Sequence, residues 1–506
     1  MTKPDVAVVV GAGTMGRGIA QVLVEAGFRV HLVDPVGEAA VNGRDAVRAA
    51  WARAVDRGRL DAARAAQYEA ALSAARGYDA VPSPPAWVIE AASENLDLKR
   101  RLLAELDQHW EGDTRLATNT SSLTIASLQG GLGHPARLGG LHFFNPVPRM
   151  ALVEVISSPA TGDVWTRAAF ELAAQLGKTA VAAPDRPGFL VNRLMRPFYA
   201  EALRLVEEEV ARPEAVDRVM EGAGFPMGPF RLMDLVGIDV NLAVTDAVYT
   251  QTFGEPRYRP HPLQVMMRDL GWLGRKSGRG FYDYGAASPS ASPEYVPDPS
   301  QPLPGGLVKG SPGFQSAWRA LGLAGRLASE PPEPGLLRFV VDPEGGSEPP
   351  REAGPDTLVV VDGTRQHVGA LSARWRRPVM GFDPALVLAG GRVMTVAGGW
   401  EETAARIFAP LTVVPVDDAY GQVLSRVVAV LVDEALSFRP RLDRDRVNQA
   451  VHLGVNQPRG PFEWLTLLGA RRVLGVLEAL GRVGGDRYRP SEDLVRAVER
   501  EAVTDA

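Results

Sequence analysis

The chain has 506 residues, more than one hydrophobic core organises, so three or four domains are expected. With 45% hydrophobic and 23% charged residues it reads as a water-soluble globular protein, and a net charge of -5 offers no basic field to nucleic acid or an acidic membrane surface. It has no cysteine, which excludes disulfides, thiolate zinc sites and a cysteine nucleophile; no metal site is read from the remaining residues.

The opening "MTKPDVAVVVGAG" carries an apolar run that breaks at Gly11, too short for a signal-peptide core. No stretch approaches the ~18 apolar residues of a membrane span, and the absence of cysteine suits a reducing cytosol, so a cytoplasmic protein is expected. Residues 5–10, "DVAVVV", read as a buried strand, 14–26 as a helix stopped by Gly27, and "FRVHLVD" (28–34) as a second strand. Then follow "AWVIEAA" (86–92), a helix near 97–110, "RLATNT" (115–120), "RLGGLHFF" (137–144), "ALVEVI" (151–156), a helix near 163–176 and "KTAVAAP" (178–184). This alternation predicts an α/β, doubly wound Rossmann-type sheet over 1–187.

Residues 188–285 are mainly helical in pattern, and 286–306, rich in proline and serine, read as a linker. Residues 307–416 hold short strands such as "LLRFVV", "TLVVV" and "RVMTVA", a second α/β segment. The helical region is repeated. "PDRPGFLVNRLMRPFYAEAL" (184–203) matches "DDAYGQVLSRVVAVLVDEAL" (417–436), pairing Asp185 with Asp418, Gly188 with Gly421, Arg193 with Arg426 and Glu201 with Glu434. Gly228-Pro229-Phe230 recurs as Gly460-Pro461-Phe462, so 417–506 is expected to be a second helical copy.

Gly11, Gly13 and Gly16 form GxGxxG after a strand and at the start of a helix, with Asp34 at the tip of the next strand. That context marks a dinucleotide site. Gly11 allows a tight turn, Gly13 a close approach of backbone to pyrophosphate, and Gly16 close helix–strand packing; Thr14 and Met15 between them count as cofactor-facing. Free amides and the helix dipole face the anion, and Asp34 can accept both ribose hydroxyls. A 2′-phosphate ~4 Å from that carboxylate, at an effective dielectric near 20, meets a repulsion of ~4 kcal/mol per charge pair. NAD is therefore expected. The alternative is a glycine turn with no ligand.

His142 ends the strand 137–144, and Glu154 lies in the next one. Neighbouring strands could join them across "NPVPR". A carboxylate on one imidazole nitrogen fixes the tautomer and leaves the other nitrogen free to take an alcohol proton. The alternative is a core histidine with a solvated glutamate.

The segments "VVGAGTMGRGIA", "EAASENLDLKRRL", "ATNTSSL", "GLHFFNPVPRMALVEVI", "DRPGFLVNRL", "GFPMGPFRLMDLVGID" and "GRKSGRGFYDY" resemble the 3-hydroxyacyl-CoA dehydrogenase family over about 1–285. The length and duplicated helical region resemble its bacterial 3-hydroxybutyryl/3-hydroxyadipyl-CoA branch in phenylacetate breakdown. The resemblance implies His142 as base with Glu154 as partner, Ser121 bonding substrate oxygen near nicotinamide, Asn192 holding substrate oxygen, and Asn145 orienting Glu154 or its loop. It implies Glu94 and Lys99 as ribose-side cofactor contacts, and Arg53, Arg57 and Arg59 over the phosphates of CoA. It further implies fatty-acid metabolism, an acyl-CoA partner and a homodimer. Alternatives stay open: Ser121 and Asn192 as helix caps, and Lys99 and the arginines as solvated helix charges. For the whole chain, the alternatives are an NAD oxidoreductase of a free hydroxy or sugar acid, or a non-catalytic NAD-binding scaffold. The second copy has Ser425 where the first has Asn192, and 307–416 has neither a glycine loop nor a histidine in "PVMGFDPALVL". One active site per chain is expected.

Overall fold

The computed structural model describes residues 5–110, 112–285, 295, 306–309, 311–323, 339–342, 348–351, 356–438 and 441–504. Most of the expected linker 286–306 lies outside them. Two compact units divide the chain. The first comprises 1–193 and 449–455, the second 194–448 and 456–506.

The first unit is built on eight strands: β1 (Val6–Val10), β2 (Arg29–Val33), β3 (Leu72–Ala75), β4 (Trp87–Glu90), β5 (Arg115–Thr118), β6 (Leu138–Phe143), β7 (Leu152–Ser157) and β8 (Thr179–Pro184). Their order is β3-β2-β1-β4-β5-β6-β7-β8, parallel except for the antiparallel β6–β7 pair. All five residues of β1 are buried, as a central parallel strand covered on both faces requires. The order reverses at β1, between β2 and β4, so the loops at their carboxyl ends open a crevice. The sequence reading has no strand between 34 and 86. Structure adds β3, "LSAA", directly after the helix Ala62–Ala71. Its alanines carry neither β-branching nor alternation, and pairing with β2 supplies what propensity lacks.

The second unit holds a six-stranded sheet: β9 (Gly306–Val308), β10 (Phe339–Asp342), β11 (Leu358–Asp362), β12 (Val379–Phe382), β13 (Val393–Ala397) and β14 (Thr412–Pro415). Its strands lie in chain order, with β12–β13 antiparallel and the other pairs parallel. That repeats the pattern of β1, β4, β5, β6, β7 and β8. The helix after β9, Pro312–Ala320, is capped by Ser311, whose hydroxyl accepts from the Phe314 amide, and has proline at its first turn. Its N-terminus is thus closed by the chain itself.

Helical segments flank this sheet in sequence. Asp217, in the helix Pro213–Gly222, accepts from the amide of Phe230 at 2.9 Å, and Asn448 accepts from the amide of Phe462 at 3.0 Å. A Cβ on Gly228 or on Gly460 would stand 2.3 Å from Oδ1 of Asp217 or Asn448, which explains the repeated Gly-Pro-Phe. The copies also hold each other. Tyr258 donates to Glu434 at 2.5 Å, and Tyr488 donates to Glu201 at 2.7 Å. Both tyrosines stand in Arg-Tyr-Arg-Pro, at 257–260 and 487–490, a repeat that the sequence reading passed over.

Candidate functional site

The glycine loop follows β1. Gly11 has φ +103°, and a Cβ there would meet the Ala91 carbonyl oxygen at 2.6 Å; one on Gly16 would meet the Gly11 carbonyl at 1.8 Å. The protein's own packing demands these two glycines. Gly13 differs, because a Cβ there would meet nothing within 4 Å among the described residues. A glycine that the chain does not need is what a closely approaching ligand would require. No side chain caps the helix Thr14–Glu25 at Gly13. Thr14 is exposed and Met15 half-buried at its mouth. Asp34 accepts from the Ala12 amide at 2.9 Å and the Val36 amide at 3.0 Å, which ties the loop to the end of β2. Each carboxylate oxygen keeps a further lone pair for a hydroxyl.

β6 and β7 pair with His142 opposite Glu154. Nδ1 of His142 lies 2.6 Å from Oε2 of Glu154, with the two residues 5% and 0% exposed. Glu154 Oε1 accepts from the amides of Leu190 at 3.2 Å and Val191 at 2.8 Å. Val191 opens the helix Val191–Glu207, so a helix N-terminus steadies the buried carboxylate. With Nδ1–H donating to the carboxylate, Nε2 is the acceptor nitrogen. The rings of Phe144 and Phe189 wall the imidazole, at centroid distances of 4.7 and 5.8 Å.

Ser121 sits half-buried in the turn after β5, and its carbonyl accepts from Asn192 Nδ2 at 3.3 Å. Asp185 fastens the neighbouring helix Ile125–Gln129 through the amides of Ile125 at 2.6 Å and Ala126 at 2.9 Å. Glu94 Oε1 gathers the turn. It accepts from the Thr120 hydroxyl (2.6 Å), the amides of Ser121 (2.9 Å) and Ser122 (3.0 Å), and the hydroxyls of Ser122 (2.9 Å) and Ser121 (3.3 Å). Burial pushes the Glu94 pKa up, but the Lys99 charge and these hydrogen bonds outweigh it and hold the carboxyl below its usual range. A lowered pKa gives stability that is present above the unfolded value and lost as pH falls through the folded one. The difference in thermal midpoint between wild type and Glu94→Gln should therefore shrink below about pH 4. A difference that is constant from pH 7 to pH 3 contradicts this.

Lys99 and Asn145 depart from expectation. Lys99 is 1% exposed, neither a solvated charge nor an open cofactor contact. Its ammonium reaches Glu90 at 2.7 Å, the Ala92 carbonyl at 3.2 Å and Glu94 at 3.5 Å. Burial is possible because Glu90, fully enclosed, neutralises it. Asn145 is exposed, and Glu154 takes its hydrogen bonds from His142 and backbone amides instead. Helix N-terminal amides hold Glu154, which leaves Asn145 the other place expected of it, in the loop. Arg53 in the last turn of the helix Ala39–Asp56, Arg57 at its cap and Arg59 just beyond are all exposed. The sequence reading missed Glu90, Asn119 and Asp185. Asn119 accepts from the Phe143 amide at 2.9 Å, beside His142. The signal for Glu90 was a carboxylate in the buried run "WVIE".

Comparison with known proteins gives the family. The family model described as "3-hydroxyacyl-CoA dehydrogenase, NAD binding domain" matches residues 6–186. The corresponding C-terminal domain matches twice, at 188–284 and 421–505. The chain is 34% identical over 503 residues to a 3-hydroxyadipyl-CoA dehydrogenase of Escherichia coli, covering 97% of this chain and 96% of that one. A probable 3-hydroxybutyryl-CoA dehydrogenase of Bacillus subtilis is 41% identical over 277 residues, 54% of this chain and 96% of its own length. Among solved structures, a 3-hydroxybutyryl-CoA dehydrogenase of Escherichia coli K12 superposes with a TM-score of 0.84 at 33% identity, covering 99% of this chain and 100% of that one.

Proposed function

Because the chain belongs to the 3-hydroxyacyl-CoA dehydrogenase family, and is an NAD-dependent oxidoreductase of that kind, we propose that His142 and Glu154 form its acid–base pair. NAD, when bound, accepts the hydride from carbon 3 of the hydroxyacyl thioester. The residues fit that cofactor: an open Gly13, a helix N-terminus without a side-chain cap, and Asp34 on the ribose side. His142 Nε2 takes the hydroxyl proton as the C–O bond gains double-bond character, and Glu154 stabilises the imidazolium. The Ser121 hydroxyl, which donates to Glu94 at 3.3 Å in the free protein, turns to donate to the substrate oxygen, and Asn192 holds the same oxygen. Glu94, with Lys99 and Glu90 behind it, keeps Ser121 in place, so Lys99 acts on the cofactor side only through Glu94. Arg53, Arg57 and Arg59 form an exposed basic edge for the phosphates of CoA.

The observation that carries this reading is the 2.6 Å contact between two enclosed side chains at the end of β6. A glutamate this buried beside a histidine is costly unless used or fully bonded. Consumption of NADH with acetoacetyl-CoA tests it directly; no turnover contradicts it. A substrate without CoA would be revealed by failure of free CoA to compete. The 3-hydroxyadipyl or 3-hydroxybutyryl thioester is the proposed substrate, within fatty-acid or phenylacetate breakdown, with the relatives' names as support. The proposed division is 1–187 for NAD, 188–285 and 417–506 as helical copies, 286–306 as linker and 307–416 as a degenerate α/β segment. Its support is the twice-matched C-terminal domain. Among the described residues no helix is long and apolar enough to cross a membrane. A cytoplasmic homodimer completes the proposal; a mass of one chain in light scattering contradicts the dimer.

Two further outcomes follow from the loop. Gly13→Val should weaken NAD binding at least tenfold while the thermal midpoint of the free protein stays near wild type; a large fall in midpoint with unchanged NAD affinity contradicts it. NADH should be preferred to NADPH in kcat/KM by at least about a hundredfold, given a repulsion of about 4 kcal/mol at Asp34. Equal use of the two cofactors contradicts that role.

A further inference from the structure

The first compact unit includes a short piece of distant sequence, residues 449–455, the end of the helix Arg444–Val455. This helix belongs to the repeated helical region. Gly454, buried, is its point of approach. A Cβ there would meet Leu152 Cδ2 at 2.7 Å, Phe144 Cε1 at 3.5 Å and Val191 Cγ2 at 3.5 Å. Each of these three neighbours bears on the His142–Glu154 pair. The Phe144 ring lies tilted against the imidazole, centroids 4.7 Å apart. Leu152 lies two residues before Glu154 on β7, hence on the same face of the strand. The Val191 amide donates to Glu154 at 2.8 Å.

We propose that Gly454 is a positioning residue for the acid–base pair, so that the second helical copy holds the active site of the first α/β sheet. The inference rests on the reading of His142 and Glu154 as that pair. The chain provides its own control. Gly222 ends the helix Pro213–Gly222 of the first copy, and a Cβ there would meet Val393 Cγ2 at 2.5 Å. Val393 is the first residue of β13, as Leu152 is of β7, and each strand follows the antiparallel step of its sheet. The same contact is therefore made twice, once beside a histidine–glutamate pair and once in a sheet where Thr395 donates to Gln422 and Ser425 to Asp383. Packing alone would explain both glycines. Only a positioning role separates them kinetically.

The test compares full-length Gly454→Ala and Gly222→Ala by thermal midpoint, and by kcat and KM with NADH and acetoacetyl-CoA. Both variants should melt earlier, Gly222→Ala by more, because the new methyl meets three side-chain carbons of Val393 there and is too close only to Leu152 Cδ2 at Gly454. Gly454→Ala should lose about tenfold in kcat, as a displacement of a few tenths of an ångström at the reacting groups would cause, while Gly222→Ala stays within about twofold. Adding Leu152→Ala makes room for the new methyl. The double variant should then return to within about threefold of Leu152→Ala alone, and it carries the test if Gly454→Ala does not fold. Gly454→Ala with wild-type kcat overturns the inference. So does Gly222→Ala losing as much, or a folded double variant still tenfold below Leu152→Ala. His142→Gln run alongside separates the two claims. If it keeps full turnover, the base assignment itself fails; if it loses turnover while Gly454→Ala does not, only the positioning role fails.

Discussion

His142→Gln should lower turnover by about 10²–10⁴-fold while NAD still binds. Glutamine keeps hydrogen-bonding capacity and approximate size but cannot carry the proton away. The cavity walls, Phe144 and Phe189, remain. The glycine loop belongs to β1 and the following helix, so cofactor affinity is untouched by the change. Turnover within a few-fold of wild type would contradict the assignment. Loss of NAD affinity together with turnover would point to collapse of the site instead.

The second large effect is on stability. Arg426 is 1% exposed and binds Glu201 at 2.9 Å, Glu208 at 2.6 and 2.8 Å, and Tyr488 at 2.9 Å. Burial disfavours its charge, but the Glu208 hydrogen bonds and the Glu201 charge hold its pKa well above the ordinary value. Glu201, buried as well, has its pKa raised by burial but pulled lower overall by Arg204 and Arg426. Arg426→Met removes one partner and leaves Glu201 in a dry site with the charge of Arg204 and the Tyr488 hydroxyl. Breaking a buried pair in this way costs about 3–5 kcal/mol. Denaturant unfolding should show a loss of that size, with little change in kcat for the folded fraction. A loss below about 1 kcal/mol would mean that the cluster contributes no more than an exposed pair. At a pH where Glu201 becomes protonated the penalty should fall, because its lowered pKa places the stabilisation above the unfolded carboxylate range.

Much of the first sheet was legible because its signals are local. "DVAVVVGAG" announces strand and turn within a few residues, and Asp34 stands at the tip of the next strand. His142 and Glu154 were readable for a related reason: a short antiparallel connection leaves only a few registers, and one of them faces the two residues. What escaped was non-local or lacked local propensity. β3 is alanine-rich and held by its neighbour. Lys99 has the helical spacing of a surface charge, and only the fold discloses Glu90 beneath it. Asn145 lies close to Glu154 in sequence but is exposed, whereas Leu190 and Val191, thirty-six and thirty-seven positions on, supply the amides. The repeat was visible as matched residues, Glu201 with Glu434. Its physical content, each glutamate taking a tyrosine hydroxyl from the other copy, was not. Nor could any pattern within the sequence show that Gly454 reaches Leu152.

The same reasoning explains why a second active site is absent from the reading of 307–416. β9 to β14 repeat the order and direction of the main sheet's strands. The loop after β9 caps its helix with Ser311 and proline, where the first sheet has an uncapped glycine turn. The strand pattern recurs without the glycine turn and the histidine that the first sheet presents.

The most direct measurement is a structure of the protein with NAD and acetoacetyl-CoA bound. The account predicts His142 Nε2 within about 3 Å of the oxygen on carbon 3, with Nδ1 still on Glu154, Ser121 and Asn192 on the same oxygen, and the pyrophosphate against Gly13. A substrate oxygen beyond reach of the imidazole, or a dinucleotide lying elsewhere than on the Gly11–Gly16 turn, would contradict it.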